Sequence, residues 1–166
     1  MKVIVWVAEG TWEAAVDAAR DLAPAGAGLT LLHVTDEKVA ATAHHAYTGL
    51  LGRGRRDRDP GVRLEALSQA AAADLLEAAA ARLGRDAARQ PRRGRLEHEV
   101  VRAAEDADLL ICARDGARDR LGPRSLAPPT RFVVDHAPCR VLLVWPEPPP
   151  GLDSLPPHPP APPAPR

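Results

Sequence analysis

The residues most able to do chemistry lie in one loop, ARDGARDRLGPRSLAPPT, which spans residues 113–130. The loop follows an apolar run at residues 109–112 and leads into an apparent helix that begins near Arg131. A glycine-bearing loop between a strand and a helix is where an α/β protein cradles phosphate with backbone N–H groups. Pro128 and Pro129 have no such groups to offer. The loop is therefore either a phosphate site or a site that has lost part of its donors.

Strands and helices must position that loop, and apolar patterning predicts how they alternate along the chain. Val3 to Val7 is a continuous apolar run typical of a strand buried on both faces, and Thr11 offers an N-cap to the helix after it. Further strands are predicted at 29–34, 109–113 and 140–145, and further helices at 64–83, 96–104 and 131–136. This alternation favours a parallel sheet whose ligands bind at the carboxyl ends of the strands. We therefore expect residues 8–10 and 34–36 to lie beside the 113–130 loop.

Between the second and third predicted helices the sequence supports only a degenerate strand. Residues 86–93, DAARQPRR, contain almost no apolar side chain, and Pro91 cannot donate a hydrogen bond to a ladder. A strand here is predicted to be a poor edge strand. Residues 35–61 are predicted to form a long polar connection between the second strand and the second helix.

Composition separates a domain at residues 1–145 from a tail at residues 146–166. Eleven of the chain's 18 prolines fall in the tail, and proline fixes φ and removes a backbone donor. The tail is therefore predicted to be extended, mobile and disordered. A solvated tail is favoured over a proline-rich ligand for a partner domain.

Length and charge exclude several classes of function. A chain of 166 residues suits one domain with its own core. Lys+Arg and Asp+Glu number 22 each, so no global field attracts nucleic acid or an anionic membrane. The N-terminal MKVIVWVAEG reaches Glu9 after a short apolar run, which indicates a buried strand rather than a signal peptide or a membrane span. We expect a cytoplasmic protein without nucleic-acid or membrane partners.

The remaining reactive residue types do not assemble into a site by sequence. His44 and His45 have no further ligands nearby at suitable spacing, so no metal is expected. Arginine clusters at 53–58 and 89–95 lack interleaved aromatic residues and are interpreted as solvated charge runs. No nucleophile can be paired with a base, so we expect no catalytic residue and no enzyme activity.

Four segments resemble the universal stress protein family, and together they span most of residues 1–145. They are KVIVWVAEGT at 2–11, GLTLLHV at 28–34, GRLEHEVVRAAEDADLLICARDG at 94–116 and RFVVDHAPCRVLLVW at 131–145. The most specific is the His-Ala-Pro-Cys step at 136–139, followed by a Val/Leu strand. The resemblance implies a three-layer α/β fold of the Rossmann-like HUP type, with a parallel five-stranded sheet of order 3-2-1-4-5 and helices on both faces. It also implies a homodimer formed through the last strand, Arg140 to Trp145.

Many members of that family bind ATP through a glycine motif that places the phosphates at the N-terminus of the last helix. The motif consists of Gly, two residues, Gly, nine residues, Gly and then Ser or Thr. Carried over to this chain, the first glycine falls on Ala113 and the second on Gly116. With one residue inserted, the third glycine falls on Ala127 and the Ser or Thr on Pro128.

The resemblance also implies the adenosine side of a nucleotide site. The family's aspartate at the end of the first strand falls on Glu9, and Val34 fits the adenine-side position. Gly122 and Ser125 lie within the loop, where neighbouring arginines could replace lost donors by forking onto phosphate. The alternative is that these arginines pair with the loop aspartates on a solvated surface.

The substitutions weaken the implied phosphate site on physical grounds. Ala127 adds a methyl where backbone would approach phosphate, and Pro128 and Pro129 remove two N–H donors and a hydroxyl. Each lost hydrogen bond to a charged oxygen costs about 1.5–3 kcal/mol, whereas the helix dipole contributes about 0.3–1 kcal/mol. The favoured function is a stress-response regulatory or interaction protein with weak or no ATP binding.

Two other functions stay open. The first is a nucleotide-dependent switch of the same family, with ATP bound by Glu9, Val34, Gly116, Gly122 and Ser125. The second is hydrolysis of a bound adenine nucleotide, for which no residue is visibly placed to activate water.

Overall fold

The apolar runs of the sequence form the strands of one parallel sheet in the computed structural model, which describes residues 1–37 and 60–155. In chain order the elements are β1 (Lys2–Trp6), α1 (Trp12–Leu22), β2 (Gly28–Asp36), α2 (Pro60–Leu83), β3 (Ala88–Gly94), α3 (Leu96–Ala103), β4 (Leu109–Ala113), α4 (Pro128–His136) and β5 (Arg140–Val144). Short 3-10 turns lie at Pro123–Ser125 and Leu152–Ser154. The strand order is β3-β2-β1-β4-β5 and every pair is parallel. The predicted fold class and strand order are confirmed.

Helices cover both faces of the sheet because alternate residues of each strand point to opposite sides. On one face, Val5 packs in a buried cluster with Val16 of α1 and Leu76 of α2. On the other face, Ile4 packs in a second cluster that includes residues of α3 and α4, among them Val100 and Val133. The continuous apolar sequence of β1 therefore fills two cores, and the protein has three layers.

The segment predicted to hold a degenerate strand forms β3, an edge strand as expected. It pairs with β2 from Ala88 opposite Thr30 to Gly94 opposite Asp36. Pro91 is tolerated there because an edge strand has only one neighbour. The strand's arginines form ion pairs with helix carboxylates, namely Arg89 with Glu77, Arg92 with Glu99 and Arg93 with Glu65. The strand is thus held by backbone pairing and by ion pairs, despite its lack of apolar residues. Its arginine cluster is paired with carboxylates of the neighbouring helices.

The last helix begins three residues earlier than its sequence predicted. Pro128 and Pro129 occupy its first turn, with Ala127 as the N-cap residue. Proline is well suited to this position because the first N–H groups of a helix have no intrahelical partner and because φ is already helical. The two prolines therefore start α4 and also remove donors from its N-terminus.

The beginning of the proline-rich segment contacts the loop at residues 113–130, while the mobility of the tail stays a prediction. Residues 146–155 turn back over the 113–130 loop, where the Leu121 amide donates to Ser154 Oγ at 3.0 Å and Arg118 pairs with Glu147 at 2.8 Å. Residues 156–166 lie outside the described part of the chain, as do His44, His45 and the arginines at 53–58. Within residues 1–37 and 60–155, no helix is long and apolar enough to cross a membrane.

Candidate ligand cavity and phosphate loop

A cavity of about 860 Å³ opens at the carboxyl ends of β1, β2 and β3, where open parallel sheets bind their ligands. The last paired residues of these strands form one side of the cavity, and residues 65–73 of α2 form another. The lining residues are Trp6, Val7, Ala8, Glu9, His33, Val34, Thr35, Asp36, Glu65, Ser68, Gln69, Ala71, Ala72, Ala73, Pro91, Arg92, Arg93, Leu96 and Asp115.

Two of the predicted nucleotide-site residues meet in this cavity. Glu9 is exposed just after β1, and Val34 is buried near the end of β2, so one offers a carboxylate and the other an apolar surface. The parallel pairing of β1 with β2 places the two strand ends side by side. This placement agrees with the expected rim of the sheet.

His33 is a buried polar residue of the same cavity. Only 7% of its surface is exposed, and its Nδ1 lies 2.8 Å from the Val7 carbonyl oxygen. A carbonyl oxygen can only accept, so Nδ1 carries the proton in this bond and Nε2 of the neutral ring is an acceptor. Among the described residues, a hydrogen-bond partner is thus present for one of the two ring nitrogens of His33.

The arginines of the cavity are engaged with carboxylates of neighbouring helices and loops. Arg92 lies 3.5 Å from Glu99, while Arg93 pairs with Glu65 and lies 3.9 Å from Glu37. These ion pairs neutralise the guanidinium groups that an anionic ligand would need.

The predicted phosphate loop folds onto itself rather than toward the cavity. The Gly116 amide donates to the Ser125 carbonyl at 3.0 Å, and the Ala117 amide donates to the Arg124 carbonyl at 2.8 Å. A Cβ at Gly116 would collide with the Arg124 carbonyl oxygen and lie 2.8 Å from the Ser125 carbonyl carbon. A glycine is therefore required here by the loop's own backbone, and its N–H is not available to phosphate.

Two further predicted residues, Gly122 and Ser125, shape the same closed loop. Gly122 has a φ of 128°, a conformation that favours glycine, at the start of the 3-10 turn. Ser125 is fully buried, its hydroxyl donates to the Gly122 carbonyl at 2.7 Å, and it accepts from Arg114. The hydroxyl thus stabilises the turn from within.

An internal carboxylate occupies the N-terminus of α4. Asp115 accepts a hydrogen bond from the Ala127 amide at 2.9 Å and another from the Thr130 hydroxyl at 2.7 Å. Ala127 has a φ of −65°, so the methyl that replaces glycine causes no backbone strain. Pro128 and Pro129 have no N–H and the Ala127 amide donates to Asp115, so the helix start offers an anion fewer donors.

The loop arginines also have partners within the protein. The Arg114 guanidinium lies 4.7 Å from the centre of the Trp145 ring, and Arg118 pairs with Glu147. Arg120 lies 3.3 Å from Asp119, and Arg131 donates to the Pro123 carbonyl. Arg120 thus pairs with a loop aspartate, as the second interpretation expects, whereas Arg114 and Arg118 have partners outside the loop aspartates.

The predicted site residues therefore form two groups. Glu9 and Val34 line the cavity, whereas Ala113 ends β4 as a buried partner of Val144, and Gly116, Gly122, Ser125 and Ala127 build the closed loop. Sequence reasoning missed Asp115, the residue that lines the cavity and also binds α4. The available signal was weak: a carboxylate in the same loop as the start of a helix, since a helix start attracts a carboxylate.

No cluster of three or more potential metal ligands exists among residues 1–37 and 60–155. The expectation that no metal is bound stays a prediction for the chain as a whole.

Comparison with known families identifies the class of protein that this fold and loop define. The sequence model of the universal stress protein family matches residues 1–144. The chain belongs to the universal stress protein family. Comparison with curated proteins gives no match.

Several solved structures share the fold at low sequence identity. The hypothetical protein MJ0577 superposes with a TM-score of 0.64 at 20% identity, over 87% of this chain and 94% of that chain. A universal stress protein in complex with cAMP gives 0.59 at 20% identity, over 89% and 98%. The universal stress protein UspA from Lactobacillus plantarum gives 0.54 at 21% identity, over 86% and 96%. These similarities support the three-layer architecture.

Proposed function

We propose that this universal stress protein is a regulatory protein that acts through protein contacts and binds ATP weakly or not at all. The single observation that carries the proposal is the Asp115 carboxylate at the N-terminus of α4. A phosphate brought to the same place would face a like charge, which costs about 4 kcal/mol at 4 Å with an effective dielectric constant near 20.

The backbone of the loop adds a second cost to phosphate binding. The amides of Gly116 and Ala117 donate to loop carbonyls, and the Ala127 amide donates to Asp115. A phosphate chain could use these donors only if the loop opened and left buried carbonyls without partners, each of which costs about 1–3 kcal/mol. Pro128 and Pro129 offer no replacement.

Calorimetric titration of the full chain with ATP and Mg²⁺ tests the proposal. We expect no heat of binding up to millimolar ATP and an unchanged melting temperature. Micromolar affinity for ATP would overturn it. Asp115→Asn removes the like charge, and Asp119→Asn, which changes an exposed loop aspartate paired with Arg120, serves as its control. If the like charge matters, only Asp115→Asn should gain measurable affinity.

The alternative is a nucleotide-dependent switch. It is favoured by the presence of Glu9 and Val34 in the cavity and by the related universal stress protein solved in complex with cAMP. ATP, ADP, AMP and cAMP titrated under the same conditions separate the two functions. Affinity that falls as phosphates are removed would place the phosphate chain in the loop and favour the switch.

We also propose that the chain forms a homodimer through β5, is cytoplasmic and has no catalytic activity. The dimer is supported by the position of β5 at an edge of the sheet, where its residues Val141 to Val144 are only half-buried in one copy. An unpaired strand edge is a ready template for pairing with another chain. A monomer by light scattering would overturn the dimer, and ATP turnover that persists through purification would overturn the lack of activity.

A further inference from the structure

We infer that the cavity at the ends of β1, β2 and β3 binds an organic cation, namely a primary amine or amidine on an apolar body. This goes beyond the proposed regulatory function and does not depend on whether the phosphate loop is active. Three features of the cavity carry the inference: its apolar walls, its excess of carboxylates and the acceptor nitrogen of His33.

The apolar walls and the size of the cavity suit a small molecule. Its volume of about 860 Å³ falls within the range of roughly 300–1,000 Å³ usual for small-molecule sites. Trp6 and Val34 are buried residues of the sheet, Ala72 is a buried residue of α2, and Leu96 opens α3. An apolar ligand body would contact these four side chains and displace water from them.

The charge of the lining selects a cation. Among the described lining residues there are four carboxylates and two guanidinium groups. Both guanidinium groups pair with carboxylates, Arg92 with Glu99 and Arg93 with Glu65. Glu9 is exposed at the mouth and has no hydrogen-bond or ion-pair partner among the described residues. An ammonium group placed beside Glu9 would therefore meet an uncompensated negative charge, whereas an anion would be repelled.

His33 adds a hydrogen-bond acceptor at the floor. Its Nδ1 is committed to the Val7 carbonyl, and its Nε2 has no partner among the described residues. The space that His33 borders is the cavity. Nε2 of the neutral ring accepts, so it is complementary to the N–H of an amine and not to a carboxylate or phosphate oxygen.

The test uses three probes with the same ring and chain: phenethylamine, 2-phenylethanol and 3-phenylpropionate. Binding to the full-length protein is measured by ligand-observed NMR titration. We expect phenethylamine to bind about twofold to fivefold more tightly than 3-phenylpropionate, with the alcohol between them, because an exposed charge pair contributes roughly that factor. Equal affinities, a preference for the anion, or no binding of phenethylamine at millimolar concentration would overturn the inference.

Matched variants locate the binding. Glu9→Gln should reduce the affinity for phenethylamine by about twofold to fivefold and leave that for the alcohol unchanged, because it removes one charge–charge contact. Glu105→Gln makes the same change on an exposed residue between α3 and β4, at the other end of the sheet, and should have no effect. An unchanged amine affinity in Glu9→Gln would overturn the assignment of this cavity.

A spectroscopic measurement tests the role of His33 without a variant that could fail to fold. In protein with ¹⁵N-labelled histidine, the Nε2 resonance of His33 should move on addition of phenethylamine while its Nδ1 resonance stays in place. A shift confined to other histidines would overturn the role of His33. The ATP titration has a separate readout, so failure of either proposal leaves the other intact.

Discussion

The hydroxyl of Thr130 donates to the carboxylate of Asp115 at 2.7 Å, and Thr130 is itself only 1% exposed. The bond joins the loop after β4 to the first turn of α4, at the positive end of that helix. A carboxylate is stabilising at this place for the same reason that a phosphate would be. Asp115 thus accepts hydrogen bonds from donors at the start of α4. The same contact stabilises the loop and occupies the place where a phosphate would bind.

Replacing Asp115 by Ala should therefore destabilise the protein. The variant leaves the Ala127 amide and the buried Thr130 hydroxyl without their acceptor, and loss of such a cap costs about 1–2 kcal/mol. Urea denaturation followed by circular dichroism measures the change. The matched control is Asp119→Ala, which removes an exposed carboxylate of the same loop and should leave the midpoint unchanged. A midpoint for Asp115→Ala equal to that of the wild type would show that the two hydrogen bonds do not matter.

Replacing Gly116 by Ala should destabilise the loop without involving any ligand. The new methyl would collide with the Arg124 carbonyl oxygen, and forced backbone shifts of this kind cost about 1–3 kcal/mol. Gly26→Ala provides the control because a Cβ at Gly26 meets nothing within 4 Å. Thermal unfolding of both variants is the measurement, and equal melting temperatures would contradict the role assigned to Gly116.

The fold was predictable from the sequence because its signals are local. The β-branched run of β1 and the apolar run of β4 are typical of strands buried on both faces, and the structure places both inside the sheet. The strand β3 gave a weaker signal because it is ordered by pairing with β2 and by ion pairs to α2 and α3. Those contacts are long-range, so composition alone could not reveal them.

The candidate site was only partly predictable because it depends on contacts across the fold. The position of Glu9 at a strand end follows from the length of β1, and its place in the cavity agrees with that prediction. The bond from Asp115 to Ala127 spans 12 residues and replaces the expected pairing with loop arginines. An aspartate can cap a helix or pair with an arginine, and both roles are compatible with the same sequence. The loop geometry shows which of the two roles Asp115 has.

Alkylation should distinguish the two cysteines. Burial raises the pKa of the Cys112 thiol to about 12, and the Asp115 carboxylate acts in the same direction. Cys139 is half-buried, and burial raises the pKa of its thiol as well. Because the thiolate is the nucleophile, iodoacetamide at pH 8 should modify Cys139 slowly and Cys112 only after unfolding. Peptide mass spectrometry measures both, and rapid labelling of Cys112 in the native protein would contradict the burial of that strand.

The contact between α1 and α2 should weaken in acid. Arg82 donates to both carboxylate oxygens of Asp17, at 2.9 and 2.6 Å, and this hydrogen bonding lowers the pKa of Asp17 below its ordinary value of 3.8. A lowered native pKa means that the stabilisation is complete above the unfolded-state pKa and is lost as the pH falls through the native one.

Asp17→Asn should therefore lower the urea midpoint at neutral pH, and its difference from the wild type should shrink below pH 3.8. The effect should be smaller than that of Gly116→Ala because both partners are partly exposed. Asp106→Asn, an exposed change outside the helices, is the control. A difference that persists unchanged in acid would show that the charge of Asp17 is not its cause.

The proline-rich segment should protect the loop on which it lies. The Leu121 amide donates to Ser154 Oγ at 3.0 Å, and Ser154 is fixed by its own bond to the Gly151 carbonyl at 2.6 Å. Ser154→Ala removes the acceptor, so hydrogen exchange at the Leu121 amide should accelerate by about threefold to tenfold, as expected for one hydrogen bond. Ser154→Thr retains a hydroxyl and should restore the protection. The Ala117 amide, which donates to Arg124 within the loop, should exchange at the same rate in all three proteins. Equal acceleration at both amides would mean that the substitution loosens the whole loop rather than releasing the C-terminal segment from it.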